Sequence, residues 1–238
     1  MLLEVVGLKK SFGSIVVADD LSLTIAPAEA VGIIGPNGAG KTTLFNLIAG
    51  GLSPSGGTIR FDGRDFLGMQ PQGRCRAGIA RTHQIPQPFE KLTVFENLLV
   101  GAVHGRRGSE REMAQFCGDI LERLGLLGRA NVLAGSLTLL ECKRLEMARA
   151  LATAPRLLLL DEIAGGLTEG ECAEFVATIR DIRATGVAIL WIEHVVHALL
   201  AVVDRLIVLN FGRKIAEGPP TEVMQLAEVH QIYIGIEA

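Results

Sequence analysis

Gly35-Pro36-Asn37-Gly38-Ala39-Gly40-Lys41-Thr42-Thr43 decides how the rest of this chain is read. It fills every position of the G-x-x-x-x-G-K-[ST] pattern, a loop that cradles phosphate. Glycine lets the backbone adopt positive φ and approach an anion closely, so the N–H groups of residues 37–43 can converge on it. Lys41 supplies a point charge, and the Thr42 hydroxyl suits Mg²⁺. Asn37, Gly38, Ala39, Gly40, Lys41, Thr42 and Thr43 are therefore the candidate phosphate-binding residues. The flanks agree with this reading. Ala30-Val31-Gly32-Ile33-Ile34 reads as a buried strand before the loop. Leu44, Phe45, Leu47 and Ile48 read as an amphipathic helix after it, ending at Gly50-Gly51. A helix starting there aims its positive dipole end at the anion.

Working outward, the chain has 238 residues, 49% of them hydrophobic and 21% charged, which predicts an ordered domain with a sizeable core. A net charge of -3 gives no footprint for nucleic acid. Cys75, Cys117, Cys142 and Cys172 stand far apart, which suits thiols better than a disulfide framework or a zinc site. Glu4 and Lys9-Lys10 interrupt the N-terminus before a signal-like apolar run develops, so no signal peptide is expected. The apolar runs 187–192 and 195–203 are too short to span a bilayer. Mean hydropathy is +0.37, which fits either a large α/β core or an apolar surface kept for a partner.

The first stretch predicts strands at 2–6, 15–18 and 21–25, with turns at Gly7, Gly13 and Asp19-Asp20. An antiparallel pair is expected around Asp62-Gly63. Residues 78–84 read as a strand entering a loop with Pro86 and Pro88. From Thr93 to about Ala150 the pattern is helical, broken by an exposed loop at 104–112. Beyond that, strand 157–160, helix 169–184, strand 187–192, helix 195–203 and strand 206–209 alternate, which predicts a parallel sheet with crossover helices.

In such a sheet, ligands bind beyond the carboxyl ends of the strands. Leu157-Leu158-Leu159-Leu160-Asp161-Glu162 delivers two carboxylates to that edge. Asp161 fits a Mg²⁺ carboxylate, and Glu162 fits a base for an attacking water. A helix cap or a solvated acid is the simpler alternative for the pair. Trp191-Ile192-Glu193-His194 brings His194 to the same edge, either to meet a phosphate or as an ordinary loop histidine.

Taken in order, these residues resemble the ATP-binding-cassette (ABC) transporter ATPases, and the resemblance covers nearly the whole chain. It rests on the loop at 35–43, Gln84 after a strand, a signature-helix region at 136–151, Asp161-Glu162 and His194. It implies a P-loop α/β fold with a mainly parallel core sheet, an N-terminal antiparallel β subdomain and an inserted helical subdomain. The core would be 1–84 and 152–238, and the helical subdomain 85–151. The resemblance gives Gln84 a contact with Mg²⁺ and water, and gives Phe12 a stack on adenine. The alternative for Phe12 is a place in the core of the N-terminal sheet. The stretches 78–84, 92–101, 144–151 and Tyr233-Ile234-Gly235 are similar to importers of branched-chain amino acids and related solutes. ATP, Mg²⁺, a second cassette and membrane permease subunits facing the segment after Gln84 are then implied. So are an extracytoplasmic solute-binding protein and a place on the cytoplasmic face of the membrane. Nucleic acid is not an expected partner.

One motif departs from the family pattern. The Leu-Ser-Gly-Gly-Gln signature reads Leu137-Thr138-Leu139-Leu140-Glu141 here. In the family this segment reaches the ATP of the other subunit. Side chains on Leu139 and Leu140 narrow that approach. Thr138-x-x-Glu141 is also a capping box ahead of a long helix. The expectation is a pairing in which this chain's phosphate loop is active and its signature is weak, beside a heterologous cassette; a homodimer is the alternative. Two other readings are a regulatory nucleotide-binding subunit with little hydrolysis, and an ABC protein outside transport. The absence of an N-K-x-D motif argues against a GTPase.

Overall fold

The computed structural model describes residues 1–105 and 108–234. Its elements are β1 (Leu3–Phe12), β2 (Ile15–Ile25), β3 (Ala30–Ile34), α1 (Lys41–Ala49), β4 (Gly56–Phe61), β5 (Arg64–Asp65), α2 (Pro71–Ala77) and β6 (Ile79–Arg81). Then come α3 (Val94–Gly105), α4 (Glu110–Arg123), α5 (Leu139–Ala152), β7 (Leu157–Asp161), α6 (Glu169–Ala184), β8 (Ala188–Ile192) and α7 (Val196–Leu200). The chain closes with β9 (Arg205–Asn210), β10 (Arg213–Gly218), α8 (Pro220–Val223) and α9 (Ala227–Ile234).

Two sheets form. One is antiparallel, in the order β2-β1-β4-β5. The other runs β10-β9-β3-β8-β7-β6, parallel throughout except for β10 at its edge. The parallel strands read as unbroken apolar runs because both faces are covered. Alternation then divides their side chains between two clusters. Ile34, Leu158, Leu160, Trp191 and Val208 join the helices α3, α4, α5 and α6. Val31, Ile33, Leu159, Leu190 and Leu209 pack against α1 and the antiparallel sheet.

Several expectations need correction. Gly7 and Asp19-Asp20 are not turns. They lie inside continuous strands, where the β1–β2 register shifts between Val5 and Leu8 and again after it. Gly7 stays within the strand at φ 59, where its neighbour Leu8 keeps pairing. The strand expected over 78–84 stops at Arg81. Thr82 still donates its N–H to Leu159, but its hydroxyl accepts from the N–H of Asp161, so the main chain is released into the loop. The helical run from Thr93 divides into α3, α4 and α5, with 3-10 turns at Leu127–Arg129 and Ala134–Ser136. The loop expected at 104–112 shrinks because Ser109 caps α4 through a capping box with Glu112. Residues 106 and 107 of that loop, and Gly235 of the tail motif, lie outside the described residues. The second crossover helix is shorter than expected, at Val196–Leu200.

Helix α2 was not foreseen. Its buried Arg74 donates to the carbonyls of Leu47 and Ile48 at the end of α1, and to those of Phe66 and Met69. Those α1 carbonyls have no partner within the helix, so the guanidinium seals its C-terminus. No disulfide joins any of the four cysteines.

Candidate functional site

Four strands deliver the site to one edge of the parallel sheet. β3 leads into the phosphate loop, β6 into Gln84, β7 into Glu162 and β8 into His194. The loop is shaped by steric demand. Gly40 caps α1 at φ 97, and a Cβ there would stand 2.3 Å from the Val17 carbonyl oxygen. Gly35 is equally constrained, since its Cβ would meet the Leu209 carbonyl oxygen at 2.1 Å. The loop is bolted to the body by the Gly212 N–H, which donates to the Ala39 carbonyl. The pocket it encloses holds about 190 Å³ and is lined by Val17, residues 37–43 and Glu162.

Lys41 is 5% exposed, and its amine donates to the carbonyls of Gly35 at 2.7 Å and Pro36 at 3.0 Å. Burial pushes its pKa below the ordinary lysine value, while Glu162 and Asp161 pull it back up. The two carboxylates thus favour the charged form of Lys41 despite its burial. Thr42 stands exposed at the start of α1.

Asp161 is buried, and its Oδ2 lies 2.6 Å from Arg81 Nη2. Arg81 Nη1 donates to Asn46 Oδ1 of α1 at 2.6 Å. Sequence reasoning quoted Arg81 only as part of a run. Its position at the end of β6, paired with Leu159 two residues before Asp161, was the available signal.

Glu162 adopts φ 48, a left-handed conformation that costs a non-glycine residue energy. Its N–H donates to Ile192, which extends the β7–β8 ladder by one step and fixes the turn. Its carboxylate then receives Gln84 Nε2 at 2.5 Å and His194 Nε2 at 2.8 Å. The structure therefore brings Gln84, Glu162 and His194 together beside the Lys41 pocket. Among the described residues no three His, Cys, Asp or Glu side chains form a metal cluster. The donor set fits Mg²⁺ in its chemistry, with oxygen donors from the buried carboxylate of Asp161, the hydroxyl of Thr42 and the amide of Gln84.

Two groups of candidates lie apart. Phe12 does not line the pocket; it is half exposed, with Lys10 Nζ 5.0 Å from its ring centroid, and so is not in the core. The signature residues do not line it either. They form the N-terminus of α5, where the Thr138 side chain accepts from the Glu141 N–H and Glu141 accepts from the Thr138 N–H. Those bonds, with help from Arg129 at 2.8 Å, hold the Glu141 carboxyl below its ordinary pKa. Leu140 packs against the core, whereas Leu139 is half exposed. A Cβ on Gly166 would lie 3.5 Å from Leu139, which places the signature beside the loop that follows Glu162.

The model of the family described as ABC transporter matches residues 18–165. The chain belongs to the ABC transporter family. The cassette is 36% identical to the high-affinity branched-chain amino acid transport ATP-binding protein BraF of Pseudomonas aeruginosa, covering 98% of each. It is 38% identical to LivG of Salmonella typhimurium, another high-affinity branched-chain amino acid transport ATP-binding protein, again over 98% of each. Among solved structures it resembles the ADP conformation of MJ1267, an ATP-binding cassette of an ABC transporter. The TM-score is 0.90, with 33% identity and 98% coverage of both chains. No helix among the described residues of this cassette is long and apolar enough to cross a membrane.

Proposed function

We propose that this cassette binds Mg²⁺-ATP at residues 37–43 and hydrolyses it to drive import of branched-chain or related amino acids. The placement of Glu162 carries the reading. Its carboxylate is held between Gln84 at 2.5 Å and His194 at 2.8 Å, beside the loop that bears Lys41. The N–H groups of the loop and Lys41 bind and orient the phosphates. Thr42, Gln84 and Asp161 would hold Mg²⁺, which when bound neutralises phosphate charge. Glu162 takes the proton of the attacking water at its carboxylate, and Gln84 and His194 fix where that carboxylate points. Phe12 is the proposed platform for adenine.

The solute class is supported by the relatives' names and by the run 92–101. The proposed division of the chain is a nucleotide-binding core of 1–84 and 152–238 with 85–151 as an inserted helical subdomain. A cleft of about 430 Å³ between β6, α3 and α5, lined in part by His83, Phe89, Gly101 and Arg149, is the proposed seat of a permease subunit on the cytoplasmic side. A solute-binding protein would act from the opposite side. Leu139 at the α5 N-terminus supports pairing with a heterologous cassette whose signature keeps its glycines.

The test is Glu162→Gln, which removes the base and leaves the shape. Turnover should fall about 10²–10⁴-fold, the usual share of a general base, with ATP binding kept. Ordinary turnover by this variant, measured as phosphate release, would refute the assignment.

A further inference from the structure

Two buried charges next to the site are not used in the mechanism above. Lys143 on α5 is 4% exposed and Glu193, the residue before His194, is 1% exposed. They do not touch each other. They hold opposite ends of one peptide group, the one joining Ile163 to Ala164. Lys143 Nζ donates to the Ile163 carbonyl at 2.8 Å. The Ala164 N–H donates to Glu193 Oε2 at 2.9 Å. The other carboxylate oxygen, Oε1, accepts the N–H of His194 at 2.9 Å and that of Val195 at 3.3 Å.

Burying two charges is costly, and an apolar pair would fill the same volume more cheaply. Their arrangement achieves what packing cannot. A peptide polarised from both ends forms stronger hydrogen bonds than either end alone. The clamped peptide begins one residue after Glu162, and Glu193 is covalently next to His194. We propose that Glu193 is a positioning residue. With Lys143 and the 163–164 peptide it forms a buried relay that ties the signature helix α5 to both Glu162 and His194. A shift of α5 is thereby felt at both ends of the hydrolytic pair within one chain. Burial holds the Lys143 pKa below the ordinary lysine value, opposed in part by the nearby Glu193 charge.

The functional half of the proposal rests on Glu162 and His194 acting in hydrolysis; the structural half does not. Lys143→Met keeps the aliphatic stem and removes the amine. Amide hydrogen exchange is then measured on segments 162–168 and 192–197 of the full chain. The relay predicts faster exchange in both, by about tenfold, although Lys143 contacts only the first. Wild-type exchange in 192–197 would overturn the relay. In a second arm, Glu193→Gln should lower ATP turnover about tenfold with ATP affinity within about twofold of wild type, and Lys143→Arg should restore both readouts. A loss confined to affinity would overturn the positioning role. Altered exchange with normal turnover would keep the relay as a structural link and overturn the positioning role. Should Glu193→Gln not fold, Lys143→Met carries the same turnover and affinity measurements.

Discussion

Replacing Arg81 with methionine should make the stability of this cassette depend on magnesium. The Arg81 and Asp161 side chains are 13% and 4% exposed and lie 2.6 Å apart. Removing one partner of a buried pair leaves the other charge uncompensated, at a cost of about 3–5 kcal/mol. For a chain of this length each kcal/mol moves the melting temperature by about 2–4 °C, so a loss of about 6–20 °C is expected in EDTA. On the proposal that Asp161 holds Mg²⁺, the ion should then take the place of the guanidinium against it. At a concentration about a hundredfold above its dissociation constant it returns about 2.7 kcal/mol. In the wild type the ion must first displace Arg81, so its gain is smaller. The assay is thermal unfolding with EDTA and with saturating magnesium, for wild type, Arg81→Met and Asn46→Ala. The last variant removes only the second partner of Arg81, should cost about 1 kcal/mol, and should respond to magnesium as the wild type does. Equal magnesium increments in wild type and Arg81→Met would refute the reasoning.

Lys41→Ala should abolish binding of a fluorescent ATP analogue at concentrations that saturate the wild type, because no other buried cation lines the pocket's described residues. Leu139→Gly should raise phosphate release by the chain alone several-fold, whereas Leu140→Gly, whose side chain packs on the core, should chiefly lower the melting temperature. Thr138→Ala should cost about 1 kcal/mol through loss of the α5 cap, read by denaturant unfolding. Glu141 has a folded pKa below the ordinary 4.5, so its contribution is present above that value and is lost as pH falls through the lower folded one. The wild-type advantage over Thr138→Ala should shrink in that acid window and stay constant near neutrality.

The parallel core was legible because each strand is an apolar run between turn residues, and because alternation is not needed where both faces are buried. Helix α6 lies at Glu169–Ala184, where the pattern put it approximately, and a capping box of Thr168 and Glu171 opens it. The same capping signature stood at Ser109 and Glu112, inside a stretch whose charges made it look like loop. The bulge at Gly7 was not legible: glycine between apolar pairs reads as a turn until pairing with a neighbouring strand is known. Helix α2 was hidden because Arg74, not an apolar face, fastens it, and an arginine's partners are carbonyls that no pattern displays.

The site shows the same divide and gives it a meaning. Glu162 and His194 could be placed from the sequence because each closely follows a strand at one sheet edge, and Gln84 because the family resemblance puts it there. Arg81, Glu193 and Lys143 could not, because their roles depend on register between strands and on which peptide a helix faces. The residues that were placed share a property. Each charged group that would meet ligand already has a partner from the chain: Lys41 has the carbonyls of Gly35 and Pro36, Asp161 has Arg81, and Glu162 has Gln84 and His194. Ligand binding is then an exchange of partners, and its free energy is a difference between two satisfied states. Mutating a residue that faces ligand should weaken binding. Mutating the partner it leaves behind should strengthen binding at the expense of the ligand-free fold, which is the sign predicted for Arg81→Met.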